Sequence, residues 1–249
     1  MALGRLVPAA DFPASRKWTY LNAASAALMS APAAEATIAW QHDLAENGTR
    51  NFDEVAEETV FDDLRAASAR LLGARDEDIA VSSSATDLLS SLAWALLPGS
   101  DQVIVGTEAA FPSAVYPWQR VARHAGCTVR LARADDQGLV DLEELMGLID
   151  DRTAIVALSH VEYRTGQVYD LEALANRAHE HGAVLVVDAT QSVGQVPIDV
   201  QRAGVDALVS AGYKWLCGPF GAAIMYLAPA LQRDLDPGTV GWRSHKEIW

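Results

Sequence analysis

Residues 184–188 read Val-Leu-Val-Val-Asp, four consecutive apolar side chains closed by a carboxylic acid. A strand with one face in water alternates apolar and polar residues. One that is apolar at every position needs cover on both faces, which is the condition of a parallel sheet held between helices. Similar short runs recur at 102–105, 128–131, 154–159, 207–209 and 222–226, and amphipathic stretches at helical spacing fill 56–72, 86–97, 113–124, 142–149 and 171–181. The alternation predicts an α/β fold in three layers, α/β/α, around a mostly parallel mixed sheet. Local chemistry marks the same boundaries: Asp141 precedes Leu142 with Glu144 three positions on, a capping box, and Gly182 follows the helix expected to end at His181.

The first ~50 residues are different, with turns around 20–29 and a helical stretch from about 32 to 46. They are expected to form an N-terminal arm and helix packed on a main domain that spans 51–249. The 249 residues suffice for a sizeable core. Nineteen Lys and Arg against 33 Asp and Glu give a net charge of −14, which disfavours a nucleic-acid partner. The longest apolar stretches are too short to span a bilayer, and residues 1–15 lack the apolar core of a secretory signal, so the expected setting is cytoplasmic, without a membrane partner. Cys127 and Cys217 stand apart without neighbours at metal-ligand spacing, so neither a disulfide framework nor a metal site is expected.

Ligands of open parallel sheets sit beyond the carboxyl ends of the strands, so polar residues directly after apolar runs are the candidates for chemistry. Asp188 ends one such run. Lys214 follows another, in Ser210-Ala211-Gly212-Tyr213-Lys214, and of the basic residues only Lys17, Lys214 and Lys246 are lysines. A partly desolvated amine is what imine formation with a carbonyl compound requires, and a carboxylate nearby can keep a pyridine nitrogen protonated. Together they are the two anchors that pyridoxal phosphate needs; taken singly, Asp188 could cap a loop and Lys214 could extend to solvent. Ser82-Ser83-Ser84-Ala85-Thr86 runs into a helix start, where N–H groups can take a phosphate or Ser84 can act as a plain N-cap. Phe111, after the run 102–105, can stack on a flat ring or belong to the core.

The ordered set Ser84-Ala85-Thr86, Phe111-Pro112-Ser113, Ser159-His160-Val161 to Thr165-Gly166, Asp188-Ala189-Thr190-Gln191 and Tyr213-Lys214 to Gly221 resembles the class V aminotransferases. These are fold type I pyridoxal-phosphate enzymes that include cysteine desulfurases, selenocysteine lyases, kynureninases and isopenicillin-N epimerases. The resemblance runs from Tyr20-Leu21-Asn22 to Gly241-Trp242, and it implies a cofactor-binding large domain without the C-terminal small domain of the relatives. It assigns the cofactor imine and proton shuttling to Lys214, the pyridinium contact to Asp188 and the phenolic-oxygen contact to Gln191. Stacking falls to Phe111, and the phosphate to Ser84, Ala85, Thr86, Ser210 and Tyr213. His160 and Arg164 fall in a loop beside the ring, and Thr239 and Trp242 in a loop that reaches a partner subunit, so a homodimer is implied.

Phe111 and Tyr213 depart from the desulfurases, which usually carry histidine at both places, and agree with kynureninase-like and epimerase-like members. A phenylalanine cannot act as acid or base, and Cys217 is misplaced for a persulfide-forming thiol. The expected function is therefore a pyridoxal-phosphate enzyme acting on an amino acid, preferentially as a C–S or C–C lyase. Epimerase or aminotransferase chemistry is the alternative within the family, and a non-catalytic scaffold the alternative outside it. Arg164 and Arg243 are stand-ins for a substrate-carboxylate arginine. A nicotinamide-dependent oxidoreductase is disfavoured because no Gly-x-Gly-x-x-Gly follows the first strand.

Overall fold

The structure is a computed structural model that describes residues 7–244, the side chain of Arg243 excepted. Helices α1 (Ala31–Asn47), α2 (Glu54–Thr59) and α3 (Asp62–Leu72) precede strand β1 (Ile79–Ser82). There follow α4 (Ala85–Leu96), β2 (Val103–Thr107), α5 (Pro112–Ala125), β3 (Thr128–Ala132), α6 (Leu142–Gly147), β4 (Thr153–Ser159) and α7 (Leu171–Glu180). Strands β5 (Val184–Asp188), β6 (Ala207–Ala211) and β7 (Ala223–Leu227) and helix α8 (Pro229–Asp234) complete the order.

The strands form one seven-stranded sheet in the order β1-β7-β6-β5-β4-β2-β3. The pairs β6–β5, β5–β4, β4–β2 and β2–β3 are parallel, whereas β7 runs antiparallel to both β6 and β1. Successive residues of the apolar strands enter opposite cores. Val103, Val105, Leu185, Val187 and Leu208 meet Leu72 of α3, Leu145 of α6 and Leu174 of α7. Ile104, Ile155, Val186 and Val209 meet Leu89 and Leu92 of α4 and Trp118 and Val121 of α5. Two-sided burial is thus the physical origin of the unbroken apolar runs, and the expected three-layer mixed sheet is what the chain forms. Between β2 and β4 a side chain on Gly106 would meet Ala157 O at 2.8 Å, so the two strands approach as closely as they do only around a glycine.

Two local expectations are corrected. The helix expected over 56–72 is two: α2 stops at Thr59 and α3 starts at Asp62, whose carboxylate and that of Asp63 favour the positive end of a new helix. The four-residue β1 is an additional edge strand. Its register, Ile79 opposite Tyr226 to Ser82 opposite Ala223, joins segments far apart in the chain, which local periodicity does not report. Helix α1 is capped by Ser30 Oγ, which accepts from Ala33 N, and it buries none of its residues. The segment before it lies on the loop after β6, where Ala27 N donates to Tyr213 O at 3.0 Å and Ser30 N to Cys217 O at 3.1 Å. Among the described residues no helix is long and apolar enough to cross a membrane.

Candidate active site

The parallel register brings Ser159 opposite Asp188 and Asp188 opposite Val209, so β4 and β5 end level with one another while β6 continues to Ala211. A pocket opens at these carboxyl ends. It is lined by Ser84, Ala85 and Thr86, by Phe111, Ser113 and Tyr163, by Ser159, Asp188 and Gln191, and by Tyr213 and Lys214. Seven of the nine residues that sequence reading placed against a cofactor, apart from Lys214 and Ser210, therefore share one cavity with the lysine.

Lys214 is only 6% exposed, and burial holds its amine below the ordinary lysine range while the charge of Asp188 works in the opposite direction. Its Nζ lies 5.3 Å from the centroid of the Phe111 ring. A desolvated ammonium gives up its proton more readily, which favours the neutral, nucleophilic form. Asp188 is buried at the end of β5, and burial pushes its carboxyl up. The hydrogen bonds from Thr190 and the nearby Lys214 pull it down. Thr190 N donates to Asp188 Oδ1 at 3.0 Å, and the Thr190 hydroxyl accepts from Ala211 N at 3.3 Å, which ties the end of β5 to β6.

Helix α4 points its N-terminus into the pocket. Ser84 Oγ accepts from Asp87 N at 3.1 Å and Ser84 O accepts from Leu88 N, so the donors left at the start of the helix are those of Ala85 and Thr86. The Thr86 and Ser113 hydroxyls lie 2.9 Å apart and extend the same donor edge. Sequence alone left open whether Ser84 capped the helix or held an anion, and in the structure its hydroxyl is the cap.

Phe111 is 40% exposed and meets Tyr163 edge to face, ring centroids 5.2 Å apart, so one face remains open to the pocket. Tyr213 stacks on Phe220 at 4.4 Å with the rings 20° from parallel. Gln191 Nε2 donates to Ala24 O and Gln191 Oε1 accepts from Trp215 Nε1, both at 2.8 Å.

Other predicted residues lie elsewhere. Ser210 is fully buried within β6, its hydroxyl directed at Ala211 O at 3.4 Å, and it does not line the pocket. His160 is buried behind the pocket: its backbone N–H donates to Asp188 O, and burial pulls the imidazole down to about 4, so the ring is neutral at neutral pH. Arg164 is exposed and lines a neighbouring groove with Glu108 and Tyr116. Thr239 and Trp242 are exposed near the end of the described span, and the Arg243 side chain lies outside the described residues.

Sequence reading missed a buried polar pair whose carboxyl feels the charge of Asp188. Thr107 at the end of β2 donates to Glu162 Oε1 at 3.0 Å, both residues being at most 1% exposed. Burial raises the Glu162 carboxyl to about 7, the Thr107 and Tyr169 hydroxyls draw it down, and the charge of Asp188 adds to the rise. A glutamate three residues after a strand with the apolar run 154–158, in Ser159-His160-Val161-Glu162, was the available signal.

The donor set suits pyridoxal phosphate. A desolvated amine faces an aromatic ring, a buried carboxylate stands at the neighbouring strand end, and a helix start with two uncommitted N–H groups offers a phosphate seat on the far side.

The family model described as aminotransferase class-V matches residues 19–247. An uncharacterized aminotransferase of Bacillus subtilis is 34% identical over 231 residues, covering 93% of this chain and 60% of that protein. A kynureninase of Deinococcus radiodurans is 35% identical over 219 residues, covering 85% and 51%. The solved complex of the cystine C–S lyase C-DES with its reaction product cysteine persulfide superposes with a TM-score of 0.83 at 27% identity, covering 93% of this chain and 63% of that one. The chain thus spans between about half and 60% of the length of these two curated relatives. A family match over residues 19–247, nearly the whole chain, places this protein in the class V aminotransferase family.

Proposed function

We propose that the chain binds pyridoxal phosphate through Lys214 and labilises a bond at the α- or β-carbon of an amino acid, as a C–S or C–C lyase. The observation that carries this reading is the placement of Lys214, buried at the end of β6, charge-coupled to Asp188 and facing the Phe111 ring. When bound, the cofactor supplies an aldehyde for an amine and a ring that withdraws electrons from the substrate's α-carbon.

The residues of the chain do the rest. Asp188, anchored by Thr190, would hold a proton on the ring nitrogen. Ala85, Thr86 and the Thr86–Ser113 hydroxyl pair would seat the phosphate at the positive end of α4. Lys214 would be the base placed to take and return a proton at a substrate's α-carbon. Phe111 offers no acid or base at the ring face it lines, which favours a reaction that draws its proton transfers from the lysine. That absence also separates the site from one that needs an imidazole over the ring, and it favours lyase chemistry of the kind named in the kynureninase and C–S lyase relatives.

The reading includes a homodimer. The exposed apolar side chains of Trp18, Leu21 and Val240, at 69%, 89% and 72%, support a further contact surface on the arm and the C-terminal loop. It also includes a cytoplasmic setting, which the unpaired Cys127 and Cys217 support.

The test is a visible spectrum with a turnover assay. Protein mixed with pyridoxal phosphate should develop an imine band that Lys214→Ala lacks, and the loaded protein should release product from one member of an amino-acid panel. An identical spectrum for Lys214→Ala sinks the assignment, and a band without turnover of any member favours a binding role.

A further inference from the structure

The amide of Gln191 is clamped by two partners of opposite hydrogen-bonding character. On one side the Trp215 indole N–H, a group that can only donate, meets Gln191 Oε1 at 2.8 Å. On the other, the backbone carbonyl of Ala24, a group that can only accept, takes one proton of Gln191 Nε2 at 2.8 Å. Turning the amide over would set donor against donor and acceptor against acceptor, so one orientation alone is tolerated. In it the carbonyl oxygen is directed to Trp215 and one N–H proton is left over. Gln191 lines the pocket, so the left-over N–H is a donor it can offer a ligand there.

Both halves of the clamp are fixed to the segment that carries Lys214. Trp215 is its chain neighbour. Ala24 belongs to the arm that docks on the same loop through Ala27 N to Tyr213 O and Ser30 N to Cys217 O. Beneath Trp215, Gly194 has φ +92° and leaves room for the Trp215 carbonyl oxygen, which would lie 2.7 Å from a side-chain carbon at that position.

We propose that Trp215 is a positioning residue that commits Gln191 to donate a hydrogen bond to an acceptor oxygen on the bound ring. The assignment rests on the cofactor reading above and adds to it the residue that decides which end of the amide the ring meets. With pyridoxal phosphate the acceptor is the phenolic oxygen. A donor held against that oxygen stabilises its negative charge most when the neighbouring imine nitrogen has lost its proton. Trp215 therefore lowers the pH at which the imine deprotonates.

The experiment uses the full chain loaded with pyridoxal phosphate and follows the visible band through a pH titration. Trp215→Phe keeps a flat ring and removes the donor; its transition should lie about half a unit above that of the unaltered protein, a fraction of what a hydrogen bond to a charged group contributes. In a Gln191→Ala background the same substitution should produce no further shift, since a residue that acts through the amide has nothing left to act on. Trp215→Leu, which also lacks the donor, takes the place of Trp215→Phe if the latter does not fold. An unchanged transition in Trp215→Phe overturns the proposal, and so does an equal shift in both backgrounds. No visible band in the unaltered protein overturns the cofactor reading itself and this assignment with it.

Discussion

The Nζ of Lys214 stands 5.3 Å from the centroid of the Phe111 ring, and the edge of that ring system is braced by Tyr163 at 5.2 Å. The amine and the aromatic face are presented from different strand ends, β6 and the loop after β2, so the relationship is one of tertiary structure. A flat heterocycle bound through the lysine, as proposed, would meet the open face of Phe111, and stacking of aromatic rings contributes about 0.5–1.5 kcal/mol beyond the area it buries. Phe111→Ala should therefore weaken cofactor binding by roughly 3- to 10-fold with the lysine band intact. An absorbance titration measures it, and an unaltered affinity would show that Phe111 serves only the wall of the pocket.

Asp188 and burial act on Lys214 in opposite directions, burial lowering the amine and the carboxylate raising it. In Asp188→Asn the opposing charge is gone while the desolvation remains. The amine should then lose its proton at lower pH than in the unaltered protein. The pH profile of Lys214 modification by an amine-specific reagent in cofactor-free protein, followed by peptide mass analysis, reads this directly. An unchanged profile would mean that the carboxylate does not act on the lysine as an anion.

The layers of the fold were legible because two-sided burial leaves a continuous apolar run, and β2 to β7 fall where those runs were read. The edge strand β1 was not, since Ile-Ala-Val-Ser is short and its partner lies on β7 at the other end of the chain. At the site, residues that follow an apolar run were legible one by one: Lys214, Asp188 and Phe111 all reach the pocket. Ser210 was misjudged by the same logic. It is the fourth residue of β6, and the strand continues to Ala211, so its side chain is spent inside the sheet. The contacts of Gln191 with Ala24 and Trp215 join segments that no local pattern connects, and they needed the folded chain to be seen.

Gly194 is the backbone on which the lysine segment rests. A side chain there would meet Trp215 O at 2.7 Å, and its φ of +92° is unfavourable for any other residue. Gly194→Ala should cost about 1–3 kcal/mol of stability, measurable by denaturant unfolding. Because the strain falls on Trp215, the pH transition of the cofactor band should move upward with it, toward that of Trp215→Phe. A destabilised protein with an unmoved transition would mean that the loop relaxes without disturbing the amide.

Glu162 makes the stability of the protein depend on pH in a definite direction. Burial raises its carboxyl from 4.5 to about 7, so the folded chain holds a proton that the unfolded chain releases once the pH exceeds about 4.5. Below that value both states are protonated and the group costs nothing. As the pH rises through the interval the cost grows, and above about 7 it is complete, on the order of 3 kcal/mol at most. Glu162→Gln keeps the acceptor for Thr107 and removes the titration. It should match the unaltered protein near pH 4.5 and exceed it in unfolding free energy by about 2 kcal/mol at pH 8, part of the gain being lost to a buried amide without a full set of partners. Urea unfolding at the two pH values decides the matter: a difference between the two proteins that is the same at both would show that Glu162 does not titrate across this range.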